Sequence, residues 1–124
     1  MHEELQYTAE HEWVRLDGDL AEVGITDYAQ EALGDIVYVS LPNVGDVVDA
    51  GQPCGEVEST KSVSDIYAPL SGTVVEINEA LDGAPQSINE APYATGWLFK
   101  VRISDPIQAA GLLSSAQYEE QTRA

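Results

Sequence analysis

Basic residues are scarce in this chain: five Lys and Arg stand against 22 Asp and Glu, a formal net charge of −17 over 124 residues. Nucleic acid is thereby excluded as a natural partner, because phosphate contacts need clustered Lys or Arg. An anionic membrane surface is excluded on the same ground. Cysteine occurs once, as Cys54, so no intramolecular disulfide can form. No apolar run is long enough to span a bilayer, and the opening MHEELQYTAEHEW has no apolar signal core. A cytoplasmic location follows as the expectation. Histidine is limited to His2 and His11, each followed by Glu, with no HExxH or other metal-ligand spacing, so no metal site is expected. Glycines 45, 51, 55 and 72 form no phosphate-binding loop, and turn roles account for them. The acids are dispersed, with no run longer than Glu3-Glu4 or Glu119-Glu120. That pattern reads as a solvated surface, or as one that docks onto basic clefts of partner proteins.

What is present suits a small globular body. The apolar fraction is 44%, and residues 1–124 read as one domain large enough for a hydrophobic core. EWVRL and LAEVGI read as strands separated by an Asp17-Gly18-Asp19 turn. In TDYAQEALG, Asp27 and Gln30 suggest a capping box and Gly34 a stop, predicting a helix over Tyr28–Leu33. DIVYVSLP alternates Ile36, Tyr38 and Ser40 against Val37, Val39 and Leu41, a strand pattern. From Pro42 to Ala84, short apolar stretches are cut by turn residues, which favours a compact all-β sandwich or barrel. GDVVD at 45–49 and GTVVE at 72–76 hint at a pseudo-symmetric pair of sheets. WLFKVRI puts Trp97, Phe99, Val101 and Ile103 on one face and Leu98, Lys100 and Arg102 on the other. Lys100 is thereby the polar side of a half-buried strand. The end turns helical over about 105–124: Asp105-Pro106 opens one helix, and Ser114 or Ser115 caps a second from about Ala116 to Thr122.

Lys61 has no such explanation. It is the one basic residue between Leu16 and Phe99, within VESTKSVSDIYAPLSG. Ser59, Thr60, Lys61 and Ser62 suit a tight hairpin turn, the most exposed point of a β fold. Three readings stand: a solvated surface lysine, a catalytic amine, or an amine that carries a covalent group. A catalytic amine needs burial or a cationic neighbour, whereas the sequence neighbours Glu56, Glu58 and Asp65 are acids. Small hydroxyl neighbours leave room for a modifying enzyme without demanding one. Cys54, in an expected strand with no His nearby in sequence, reads as a small core residue. His11 reads as a structural or surface residue, with the alternative that it lines a resting site for a loaded arm.

GEVESTKSVSDIYAPLSGTVVEIN resembles the lipoyl attachment segment of the glycine cleavage H-protein family. YTAEHEWVR, VGITDYAQEALGDIVYVSLP and INEAPYATGWLFKV resemble that family's other blocks, in the same order and spacing, together covering most of residues 7–101. The resemblance implies a lipoyl/biotinyl-type barrel-sandwich of two antiparallel sheets with a short internal helix and C-terminal helices. It implies lipoate in amide linkage to Lys61. Glu58, three residues before the lysine, Gly72, eleven after it, and Asp65 match positions tied to recognition or support of the lysine turn. Ser62 and Val63 stand where many members carry small residues such as Ala or Thr after the lysine. The implied role is a shuttle with no catalysis of its own, carrying the aminomethyl group from a pyridoxal-phosphate glycine decarboxylase to a tetrahydrofolate-dependent aminomethyltransferase and electrons to dihydrolipoamide dehydrogenase, with a lipoate-attaching enzyme as a further partner. A monomer is expected. A biotin carrier would place methionines beside the lysine, where Thr60 and Ser62 stand. A lipoyl domain of a 2-oxoacid dehydrogenase would bring a Pro/Ala-rich linker, which this sequence lacks. A small acidic enzyme built on Cys54 and His11, and an unmodified adaptor, are the remaining rivals.

Overall fold

A computed structural model describes residues 5–122. Nine strands in two antiparallel sheets form the framework of the described chain. β1 (Gln6–Tyr7), β2 (Glu12–Asp17), β3 (Leu20–Ile25), β5 (Val47–Val48), β8 (Gly72–Ile77) and β9 (Phe99–Ile103) form a six-stranded sheet in the order β1-β2-β3-β9-β8-β5. β4 (Ile36–Ser40), β6 (Pro53–Ser59) and β7 (Val63–Tyr67) form a three-stranded sheet in the order β4-β6-β7. The strands do not close into a barrel, so the barrel-sandwich expectation resolves to an open sandwich of two sheets. Three helices flank them: α1 (Asp27–Leu33), α2 (Ser87–Glu90) and α3 (Ser115–Thr122). No helix among the described residues is long and apolar enough to cross a membrane.

The main core includes Val23, Ile25, Val74, Phe99 and Val101 from the large sheet and Ile36, Val39, Val57 and Ile66 from the small one. β2 has apolar cover on both faces, which is why its alternation is loose. Val14 packs with Ala21 and Leu70, whereas the neighbouring Trp13 packs with Tyr7 and Tyr118. The Trp13 indole needs Gly24 opposite it: a Cβ there would fall 2.5 Å from the ring. Tyr118 brings α3 onto this outer face, its ring stacked on Tyr7 at 4.7 Å and 8°.

Several local expectations shift. The N-cap of α1 is Thr26, whose hydroxyl accepts from Ala29 N at 3.2 Å; Asp27 instead accepts from Gln30 Nε2 at 2.7 Å. Gly34 ends α1 as expected, at φ +87° with its N–H donating to Gln30 O. In β4 an irregularity between Ile36 and Tyr38 resets the alternation, so Ile36 and Val39 are both buried while Val37 and Tyr38 face solvent. β9 begins only at Phe99. Leu98 is buried, and Trp97 turns its ring beneath Lys100 Nζ at 5.2 Å rather than joining the Phe99 face. The two echoing segments do not lie in separate sheets: β5 and β8 are paired neighbours, Val47 opposite Thr73. The first C-terminal helix is a 3₁₀ helix, Pro106–Gly111, with the Asp105 carboxylate accepting from Ile107 N at 3.1 Å. Ser114 caps α3 through a reciprocal pair with Gln117. His2, Glu3-Glu4 and the last two positions of the 105–124 segment lie outside the described residues.

Candidate functional site

The lysine hairpin is the two-stranded ribbon β6–β7 with Thr60, Lys61 and Ser62 at its tip. Ser59 shapes that tip. Its N–H donates to Ser62 O at 2.8 Å, and its hydroxyl oxygen accepts from Lys61 N at 3.2 Å and Ser62 N at 3.1 Å. One buried side chain thus satisfies the backbone of a turn whose other three residues are exposed.

A second segment supports the tip. Thr60 N donates to Asp35 O at 3.1 Å, tying the hairpin to the α1–β4 connection. The Lys61 side chain lies over Gly34, so close that a Cβ on Gly34 would be 3.2 Å from Lys61 Cε and 3.8 Å from Nζ. Asn89 of α2 holds this connection from beneath. Its Nδ2 donates to Gly34 O and to Gln30 Oε1, both at 2.9 Å, and its Oδ1 accepts from Ile36 N at 2.9 Å. Sequence reasoning missed Gly34 and Asn89 as parts of the lysine's setting. The only signal was that both sit in the blocks VGITDYAQEALGDIVYVSLP and INEAPYATGWLFKV, which carry no side-chain chemistry of their own.

Arg15, Lys100 and Arg102 each have a carboxylate partner: Glu22 at 2.8 Å, Glu76 at 3.5 Å and Asp19 at 3.7 Å. Lys61 has none among the described residues. Glu58 and Asp65 stand on the outward face of the same hairpin, Glu58 opposite Val63 and Tyr38, and Asp65 opposite Glu56. Both are exposed. Gly72 is not part of this cluster. It begins β8 in the other sheet, where a Cβ would meet Arg102 O at 2.1 Å and Val101 Cγ1 at 2.7 Å. Strand packing therefore requires glycine there whatever else the position does.

The remaining candidates have structural explanations. Burial pushes the Cys54 thiol up to about 12, with the Glu12 charge adding to it, so Cys54 is a poor nucleophile at neutral pH. It packs against the main core. His11, at φ +72°, is hydrogen-bonded through Nδ1 to the Tyr118 hydroxyl at 2.7 Å and lies against Tyr28 at 4.7 Å. Burial lowers its pKa, opposed by Glu10. No hydrogen bond joins Cys54 to His11 among the described residues, and no cluster of metal-ligating groups occurs among them. Glu12 points inward from β2, only 1% exposed. Burial pushes its carboxyl up to about 7, against the Thr8 hydroxyl and Tyr67 N–H that donate to it at 2.6 and 3.1 Å.

The family described as "Glycine cleavage H-protein" matches residues 5–124. The chain belongs to that family. Its relatives include the glycine cleavage system H protein of Micrococcus luteus, 56% identical over 97% of this chain and 95% of that protein. That of Beutenbergia cavernae is 56% identical over 90% of this chain and 88% of its own. The crystal structure of a glycine cleavage system H protein from Mycobacterium marinum superposes with a TM-score of 0.87, at 45% identity over 98% of both chains. Membership makes the chain a non-catalytic lipoyl carrier of the glycine cleavage system, one whose lipoate is held covalently on a lysine.

Proposed function

We propose that Lys61 is the attachment point and that the exposed face around it is what the partner enzymes read. The observation that carries this is the contrast in pairing: of the four described cations, Lys61 alone has no carboxylate partner, and it stands at a tip shaped by Ser59. The donor suits the group, because an exposed primary amine can form an amide with an activated lipoyl carboxyl. In that step the amine nitrogen's lone pair forms the N–C bond to the acyl carbon, the bond from that carbon to the activating group breaks with its electron pair going to the leaving group, and the nitrogen gives up a proton. When bound, the dithiolane supplies a reversible disulfide and a thiol able to carry an aminomethyl group.

The chain's own residues do the rest. Ser59 and Asp35 hold the tip in place, so that mobility is confined to the lysine stem and what it bears. Tethering turns each hand-over into a local encounter. The order of visits we infer is the pyridoxal-phosphate glycine decarboxylase, the tetrahydrofolate-dependent aminomethyltransferase, then dihydrolipoamide dehydrogenase. Glu58 and Asp65, with the net charge of −17, would steer the carrier onto basic rims, and charge of this kind speeds encounter more than it tightens binding. In this reading Glu58 and Asp65 also guide the lipoate-attaching enzyme, while Gly72 acts through the strand pairing it permits. We place the protein in the cytoplasm as a monomer; a reducing setting suits dithiol chemistry and the lone, half-buried Cys54.

Peptide mapping of protein produced with lipoate tests the assignment. The adduct is expected within Val57–Leu70. An adduct on Lys100 in place of Lys61 would overturn it.

A further inference from the structure

We propose that Asn89 is a positioning residue for lipoate attachment, setting where the Lys61 amine is presented. This rests on the reading that Lys61 is the attachment point. Asn89 makes three hydrogen bonds to a stretch of chain that ends one helix and starts a strand: to Gln30 Oε1, Gly34 O and Ile36 N, each at 2.9 Å. Between the last two lies Asp35, whose carbonyl accepts from Thr60 N at 3.1 Å. Beside it lies Gly34, which carries the Lys61 stem. The lysine turn touches this connection at two points, and Asn89 is what pins the connection. A side-chain amide alone can do this, because the task needs two donations and one acceptance from a single group. Without it the Gly34 carbonyl and Ile36 N–H lose their partners, the connection gains freedom, and both supports of the tip move with it. Misplacing a reacting group by about 1 Å can cost on the order of a hundredfold in rate.

The chain's two lysines make the test direct. Apo-protein, Asn89→Ala and Asn89→Asp are compared as substrates of a lipoate-attaching enzyme supplied with ATP and lipoate. Asn89→Asp keeps the acceptor for Ile36 N and loses both donations, so it serves should Asn89→Ala fold poorly. Asn78→Ala is the matched control. Asn78 Nδ2 also makes two donations, here both to backbone, to Thr95 O and Trp97 O at 2.9 and 2.7 Å, and neither acceptor touches the lysine turn. Folding is checked by near-ultraviolet circular dichroism, and only folded samples are compared. Separately, reductive ¹³C-methylation reports on Lys61 and Lys100 as two lysine resonances.

Attachment to both Asn89 variants is expected to fall on the order of tenfold in kcat, with KM less affected. The Lys61 resonance should shift and sharpen toward that of a free side chain, while Lys100 stays put. Both changes are required. Wild-type kcat in the folded Asn89 variants, an unmoved Lys61 resonance, or an equal loss in Asn78→Ala would each overturn the proposal. The attachment assignment is separable, since an adduct persisting in Lys61→Arg would defeat that reading whatever the Asn89 variants do.

Discussion

On the large sheet Arg15, Glu22, Lys100 and Glu76 stand in register across β2, β3, β9 and β8, an alternating row of charge. The two cations also lie over aromatic rings, Arg15 over Trp13 at 5.0 Å and Lys100 over Trp97 at 5.2 Å. On the small sheet Glu56, Glu58 and Asp65 share a face beside Lys61, and none of them has an ion-pair partner among the described residues. One sheet uses its charges on itself; the other leaves them for something outside. Cross-strand charge pairs add only a few tenths of a kcal/mol each, up to about 1. The large sheet's row is therefore a modest aid to stability, and the small sheet forgoes little by leaving its own charges open.

The sharpest way to break this contrast is to exchange lysine for arginine in each sheet. Lys61→Arg keeps the cation, so thermal unfolding should stay near that of the unmodified parent, because exposed charges contribute about 0–1 kcal/mol. Attachment should vanish, since a guanidinium stays protonated and is a poor nucleophile. Lys100→Arg should keep its pairing with Glu76 and be modified at Lys61 as before. Intact mass and melting temperature read both.

A second test separates packing from recognition. Gly72→Ala drives a Cβ to 2.1 Å from Arg102 O, and the strands must part; a loss of about 3 kcal/mol or more is expected in urea unfolding. Gly83→Ala meets nothing within 4 Å and should stay within about 0.5 kcal/mol of the parent. A Gly72→Ala protein of full stability that resists lipoylation would shift Gly72 from packing to direct recognition.

Glu12 gives the large sheet a pH dependence of its own. Its carboxyl is raised from 4.5 to about 7 in the fold, so the fold favours its neutral form. The stability it contributes is complete below about pH 4.5 and is lost as pH rises through 7, up to about 3 kcal/mol in all. Glu12→Gln should flatten the stability profile across that window, at the cost of one donor left facing the amide, about 1–3 kcal/mol. An unchanged slope would assign the dependence to the other acids. The smallest effect belongs to the row itself: Glu76→Gln should cost at most about 1 kcal/mol, since this ion pair is partly exposed.

Much of this was legible beforehand. The strands at 12–16 and 20–25, all but the first two residues of the strand expected over 97–103, the stop at Gly34 and a cap at Ser114 or Ser115 follow from local chemistry, and local chemistry prevailed there. Lys61 could be singled out because nothing nearby explained it. What failed were inferences requiring neighbours distant in sequence. The alternation over 35–42 could not reveal the irregularity that sends Val37 and Tyr38 outward. The face of Trp97 was set by Lys100 and by the chain's entry into β9, not by period. The support beneath the lysine joins residues 30–36, 60–61 and 89, and no spacing rule links those three stretches.

The bond from Thr60 N to Asp35 O, at 3.1 Å, has a meaning for the cell as well as for the turn. Its two halves meet only when β4 has paired with β6, so a nascent or misfolded chain displays the same residues 57–72 without the same surface. An enzyme that reads this surface would inspect the pairing of β4 with β6, and not residues 57–72 alone, before committing its cofactor. A synthetic 57–72 peptide should accordingly be a far poorer acceptor than the folded protein. With attachment at Lys61 as proposed, the modification would work as a certificate of folding, issued only to chains whose lysine turn is held in place.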